Sequence, residues 1–157
     1  MRLPIRPIAV ILVAAILVAA SPGRATAELG GTVTSVNDDR VRLQGALVRI
    51  NQVGPYYLHE IRTAAGTTVR EFVSGGTVFG VAWEGPWQPN LRPLLGPYFD
   101  RYSQALQSSR RDRRGRGPVH IRDGDLVVEM RGHPRAFSGR AYLMPLVPQG
   151  VDVGTIK

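Results

Sequence analysis

Three short runs of hydrophobic and polar positions, residues 57–63, 68–73 and 77–83, are rich in β-branched and aromatic residues. Glycine-containing breaks separate them, so they predict three consecutive antiparallel strands. If Ala64-Ala65-Gly66 is a three-residue loop with Gly66 left-handed, Ile61 faces Val69, Glu60 faces Arg70, His59 faces Glu71 and Leu58 faces Phe72. A two-residue loop would set Glu60 against Glu71, which is unfavourable. Gly75-Gly76 reads as a two-residue turn that places Phe72 opposite Phe79, Val73 opposite Val78, Arg70 opposite Val81 and Glu71 opposite Gly80. One face of this meander then carries Leu58, Phe72, Phe79, Val81 and Trp83. The other carries Tyr57, Ile61, Val69, Val73, Val78 and Ala82. The run 77–83 is apolar on both sides and is expected to be central and covered on both faces.

An earlier strand is expected over residues 41–50, with a bulge or bend near Gly45 where the alternation changes phase. After residue 83 the spacing of Leu91, Leu94, Leu95, Tyr98, Phe99, Tyr102 and Leu106 is helical. Asn90 is the expected N-cap. Pro97 does not suit a helix interior, so the expectation is a short first turn, a break near Gly96 and a main helix from Pro97 to about Gln107. Strands at 119–122 and 125–131 flank an Asp123-Gly124 turn, with Leu126, Val128 and Met130 on one face. A further turn at Gly132-His133-Pro134 leads to a last strand at 136–143, and the tail with Pro145, Pro148 and Gly150 is expected to be extended. The whole is an α+β fold: an antiparallel sheet of about six strands, an N-terminal meander plus a C-terminal hairpin and strand, with one main helix packed on it.

The N-terminus has a different character. Arg2 and Arg6 precede an unbroken apolar run of 13 residues, 8–20, and Pro22-Gly23 and Ala25-Thr26-Ala27 follow. This is the pattern of a Sec-type signal peptide cut after Ala27. The run is shorter than the roughly 20 residues that span a bilayer. With no cysteine in the chain, a lipid anchor through that residue is excluded. The reading is a signal peptide over 1–27, one globular domain over 28–157, a periplasmic or secreted location, and membrane contact only before cleavage.

Charge sharpens this only locally. The net charge of +8 includes Arg2, Arg6 and Arg24, so the expected mature chain carries +5. Arg110, Arg111, Arg113, Arg114 and Arg116, opposed by Asp112, account for +4 of it. Residues 108–117 are therefore expected to form an Arg-rich flexible loop on an otherwise near-neutral domain. Nucleic-acid binding is not expected of an exported chain without a matching motif.

The blocks Leu29-Gly30-Gly31, His59-Glu60-Ile61, Val69-Arg70-Glu71-Phe72-Val73, the run from Val78 to Pro86, Leu94-Leu95-Gly96 and the run from Gly132 to Ala141 resemble, in order and spacing, an exported bacterial family. It is similar to the domain of unknown function family 2844 over nearly all of residues 28–157. Pro97 departs from the family's pattern. The resemblance implies export and a single domain and carries no activity.

Candidate chemistry is sparse. His59 beside Glu71 is either a cross-strand polar pair or a base with its orienter. Trp83 and Trp87 flank Glu84-Gly85-Pro86 and are either core and loop anchors or a sugar-stacking platform. His133, Arg135 and Arg140 could hold an anion. His120 stands alone on a short strand. No histidine has a second at ligand spacing, and the serine-nucleophile, phosphate-loop and dinucleotide fingerprints are absent, so neither metal nor cofactor is expected. The leading reading is a non-enzymatic binding or accessory module of the cell envelope, with an envelope protein or anionic polysaccharide as partner. The alternatives are an envelope glycan hydrolase or lyase using His59 and Glu71, and an anionic-polysaccharide binder using the Arg110–Arg116 tract.

Overall fold

A computed structural model describes residues 28–32, 41, 44–112 and 117–157. The expected signal peptide and the centre of the arginine tract lie outside the described residues.

Seven strands form one antiparallel sheet: β1 Gly45–Val53, β2 Tyr56–Thr63, β3 Thr68–Ser74, β4 Thr77–Gly85, β5 Val119–Asp123, β6 Leu126–His133 and β7 Ala136–Leu143. Their spatial order is β1-β2-β3-β4-β7-β6-β5, so β4 is central as its two-sided apolar pattern requires. Two locally connected pieces, β1–β4 and β5–β7, join along β4 and β7. Strand β1 starts later than expected, at Gly45, and its register shifts between Leu47 and Arg49.

The β2–β3 hairpin has the expected register throughout, with Gly66 left-handed at φ 84°. The β3–β4 hairpin departs from expectation after its first pairs. Val73 faces Val78, but a bulge follows, and Phe72 faces Gly80, Glu71 faces Val81 and Arg70 faces Ala82. Phe79 is the extra residue. A bulge puts two residues against one and reverses the parity of everything beyond it. Val81 and Trp83 therefore turn to the face of Ile61, Val69 and Val73, and Ala82 turns to the face of Phe72 and Phe79.

The chain passes from β4 to β5 through helix α1, Leu91–Leu95, a 3-10 turn at Gly96–Tyr98, and helix α2, Phe99–Asp112. Asn90 caps α1 by accepting from the Arg92 amide at 3.1 Å. The break falls where Gly96 and Pro97 demand it. Helix α2 runs five residues past its expected end: Ser108 to Asp112 is polar, but serine and arginine are ordinary helix residues, and a helix continues without an apolar residue in its last turn. On the sheet, Tyr98, Phe99, Tyr102, Ala105 and Leu106 pack into the larger core cluster with Val81, Trp83, Val128 and Leu143. Arg101 fixes the far end of the sheet, reaching Asp123 and Asp125 at 2.9 Å each. That clamp spans a turn made by Gly124 and Asp125, one residue later than Asp123-Gly124. Segment 28–32 belongs to the same core: Leu29 is buried, its amide bonds the Leu94 carbonyl at 3.0 Å, and Thr32 bridges Thr77.

The closing segment, residues 144–157, is packed instead of simply extended. Two 3-10 turns, Met144–Leu146 and Val153–Thr155, fold it back over the face opposite α2. There Ile156 is fully buried with Phe72, Phe79, Ala82 and Tyr142, and Val147, Val151 and Val153 pack around them. It covers only the apolar half of that face.

Candidate functional site

The remaining half of the second face is polar, and its polarity follows from register. One row of Cα partners crosses all seven strands: Arg49, Glu60, Arg70, Ala82, Arg140, Glu129 and His120. Charges alternate along it from Arg49 to Glu129 except at Ala82, which keeps Arg70 and Arg140 apart. Cross-strand neighbours of opposite charge attract. Arg70 approaches Glu60 at 3.4 Å and Glu84 at 3.6 Å. Arg140 grips Glu129 Oε2 through Nε and Nη2, both at 2.7 Å. The other oxygen of Glu129 lies 3.1 Å from His120 Nδ1.

Both arginines also hold the closing segment. Arg140 Nη1 donates to the Val153 carbonyl at 2.8 Å, and Arg70 Nη1 to the Lys157 backbone oxygen at 3.1 Å. A parallel row toward the strand ends carries Thr68, Glu84, Ser138 and Arg131.

Between these rows and the closing segment lies an open cavity of about 560 Å³, lined by Glu84, His120, Glu129, Arg131, Ser138 and Arg140 among others. A second, of about 360 Å³, shares Glu84 and Ser138 with the first and adds Pro86, Arg135 and Phe137. The two form one trough at the end of the sheet where the β4–α1 loop meets the β6–β7 turn. That loop is tied down: Thr67 Oγ1 donates to the Trp87 carbonyl at 2.7 Å.

The expected site residues fall into separate places. His59 and Glu71 are direct neighbours, 7% and 0% exposed, on the α2 face of the sheet. Glu84 and Arg140 meet in the trough on the opposite face. Trp83 is buried in the α2-side core, whereas Trp87 is 59% exposed on its loop, so the two do not form a platform. His133 ends β6 and Arg135 occupies the turn, both exposed, while Arg140 lies farther along β7 with its guanidinium engaged. Of the arginine tract, Arg110 and Arg111 lie on α2. The trough also contains Glu129, Arg131, Ser138 and His120, which sequence reading did not bring together. A signal existed. A two-residue Pro134-Arg135 turn sets His133 against Ala136, and counting back from there sets Glu129 against Arg140.

The buried His59 has a testable consequence. Desolvation lowers its pKa, and its Nδ1 has no hydrogen-bond partner among the described residues. Unfolded, it takes up a proton near pH 6.5; folded, it does so only at lower pH. The stability gained by keeping it neutral is complete above that pH and is lost as pH falls toward the folded value. Denaturant midpoints at pH 7.5 and pH 5 should therefore fall further in the native protein than in His59→Gln. Parallel losses in the two would show that His59 does not set the acid sensitivity.

A family model described as protein of unknown function (DUF2844) matches residues 25–156. No curated protein and no solved structure matches the chain.

Proposed function

The chain belongs to the DUF2844 family, of unknown function, across residues 25–156, and we propose that it acts outside the cytoplasm as a non-enzymatic binding or accessory module of the cell envelope, with the trough as its binding site. The observation that carries the binding reading is the state of the trough's acids. Glu129 divides its two oxygens between Arg140 and His120, and Glu84 is exposed beside Arg70. The His59–Glu71 pair stands on the far face of the sheet, away from both. Such an arrangement holds a polar ligand by complementary charge and hydroxyl contacts. Within it Glu129 lies closer to Arg140, at 2.7 Å, than to His120, at 3.1 Å, which favours the ion-pair use of that carboxylate over the orientation of a base.

Export rests on the N-terminal pattern: Arg2 and Arg6, the apolar run 8–20, and Ala25-Thr26-Ala27.

One experiment tests both parts. Cells producing the full chain are fractionated, the exported form is sequenced from its N-terminus, and its retention on washed envelopes is compared with that of Ser138→Phe, which fills the wall shared by both cavities. The expected start is Glu28, and the variant should be exported equally but wash off. A Met1 start in the membrane fraction would overturn the location. Undiminished retention of Ser138→Phe would overturn the site.

A further inference from the structure

From the charges left over in the trough we infer that its ligand is an acidic oligosaccharide, a hydroxyl-rich chain bearing spaced carboxylates; this rests on the binding reading above and adds the class of ligand.

Every acid in the trough has an arginine neighbour: Glu129 has Arg140, and Glu84 has Arg70. Three cations have no acid partner. Arg131 and Lys157 line the first cavity and Arg135 the second, and none makes an ion pair or side-chain hydrogen bond among the described residues. The uncompensated charge is thus positive, in two places, one in each cavity.

Between them stand groups suited to hydroxyls. Arg131, Ser138 and Glu84 are Cα partners across β6, β7 and β4. Strands lie about 4.8 Å apart, so the cation and the carboxylate flank the serine hydroxyl at a span of about 10 Å. An exposed carboxylate accepts from sugar hydroxyls and repels phosphate, so Glu84 disfavours a phosphate-dense ligand. A sugar chain with one carboxylate on each of two neighbouring units can set hydroxyls on Glu84 and Ser138 and direct its carboxylates to Arg131 and Arg135. Guanidinium groups pair with carboxylates through two parallel N–H bonds.

Arg135 adds an independent observation. It follows Pro134 in the β6–β7 turn at φ 69°, a conformation that favours glycine. A strained non-glycine residue beside a cavity points to a use for its side chain.

The test is calorimetric titration of the exported protein with a β-1,4-linked tetramer of glucuronic acid and with cellotetraose, which differ only by oxidation at C6. The acidic tetramer should bind at least roughly tenfold more tightly, and less tightly as salt rises. Arg131→Ser and Arg135→Ser should each weaken it about fivefold, whereas Arg122→Ser, on the outer strand β5, should not. Equal binding of the two tetramers at a Ser138→Phe-sensitive site would overturn the acidic class and leave the binding site standing. Binding of the acidic tetramer that ignores Arg131, Arg135 and Ser138 would place it elsewhere and overturn both. If neither tetramer binds, the inference fails, and the envelope-retention comparison alone decides the broader reading.

Discussion

Trp83→Ala is expected to cost about 3–5 kcal/mol of stability, much of the roughly 5–15 kcal/mol that holds an ordinary domain together. The indole is buried in the central strand, between Val69 on β3 and Gly139 on β7, beneath α2. It lies against Gly139 so closely that a Cβ there would collide with ring atoms Cζ2 and Cε2 and stand 2.9 Å from the Glu129 carbonyl oxygen. Gly139 therefore supplies the space that the ring occupies. Gly139→Ala should damage the fold from the opposite direction, by overpacking. Urea unfolding followed by circular dichroism measures both. A loss below about 1 kcal/mol for Trp83→Ala, the ordinary effect of a point substitution, would contradict the packing described.

The second large effect is expected from removing residues 151–157. Ile156 is fully buried and seals the apolar half of the second face, and Val151 and Val153 pack beside it. Burying one such side chain contributes about 1.5–3 kcal/mol, so the truncated protein should lose about 3–5 kcal/mol. It should also bind a hydrophobic dye, because Phe72, Phe79 and Tyr142 come into contact with water. Arg70 and Arg140 lose their backbone acceptors at the same time. A truncated protein with an unchanged melting temperature and no dye binding would show that the segment does not seal the face.

How far these features are legible in the sequence depends on which interactions are local. The β2–β3 register is legible because a loop length and a left-handed Gly66 fix it. The β3–β4 register is legible only at its first pair, since Val78, Phe79, Val81 and Ala82 are apolar on both sides and no polar residue marks the Phe79 bulge. That one residue reassigns Val81, Ala82 and Trp83 between faces. The His59–Glu71 pair is legible as a neighbour relation, but the parity of the hairpin does not say that Glu84 lies on the other side. The trough is the least legible, because it needs β4 beside β7, strands separated by residues 86–135. Alternation within each strand gives no information on that contact.

The join between β4 and β7 also orders events in time. Hairpins within β1–β4 and β5–β7 close short loops and form within microseconds. The β4–β7 contact must bridge the 50 residues 86–135, against two to four residues in each hairpin loop, and non-local pairing of this kind slows folding. Until it forms, β4 is the free edge of a four-stranded piece, apolar on both sides, with its hydrogen-bonding groups open to any other extended chain. Misassembly should therefore be concentrated in the interval between the emergence of β4 and the arrival of β7, whether the chain is leaving a ribosome or a translocation pore. A helper acting on this protein would need to shield a single strand edge for that interval alone.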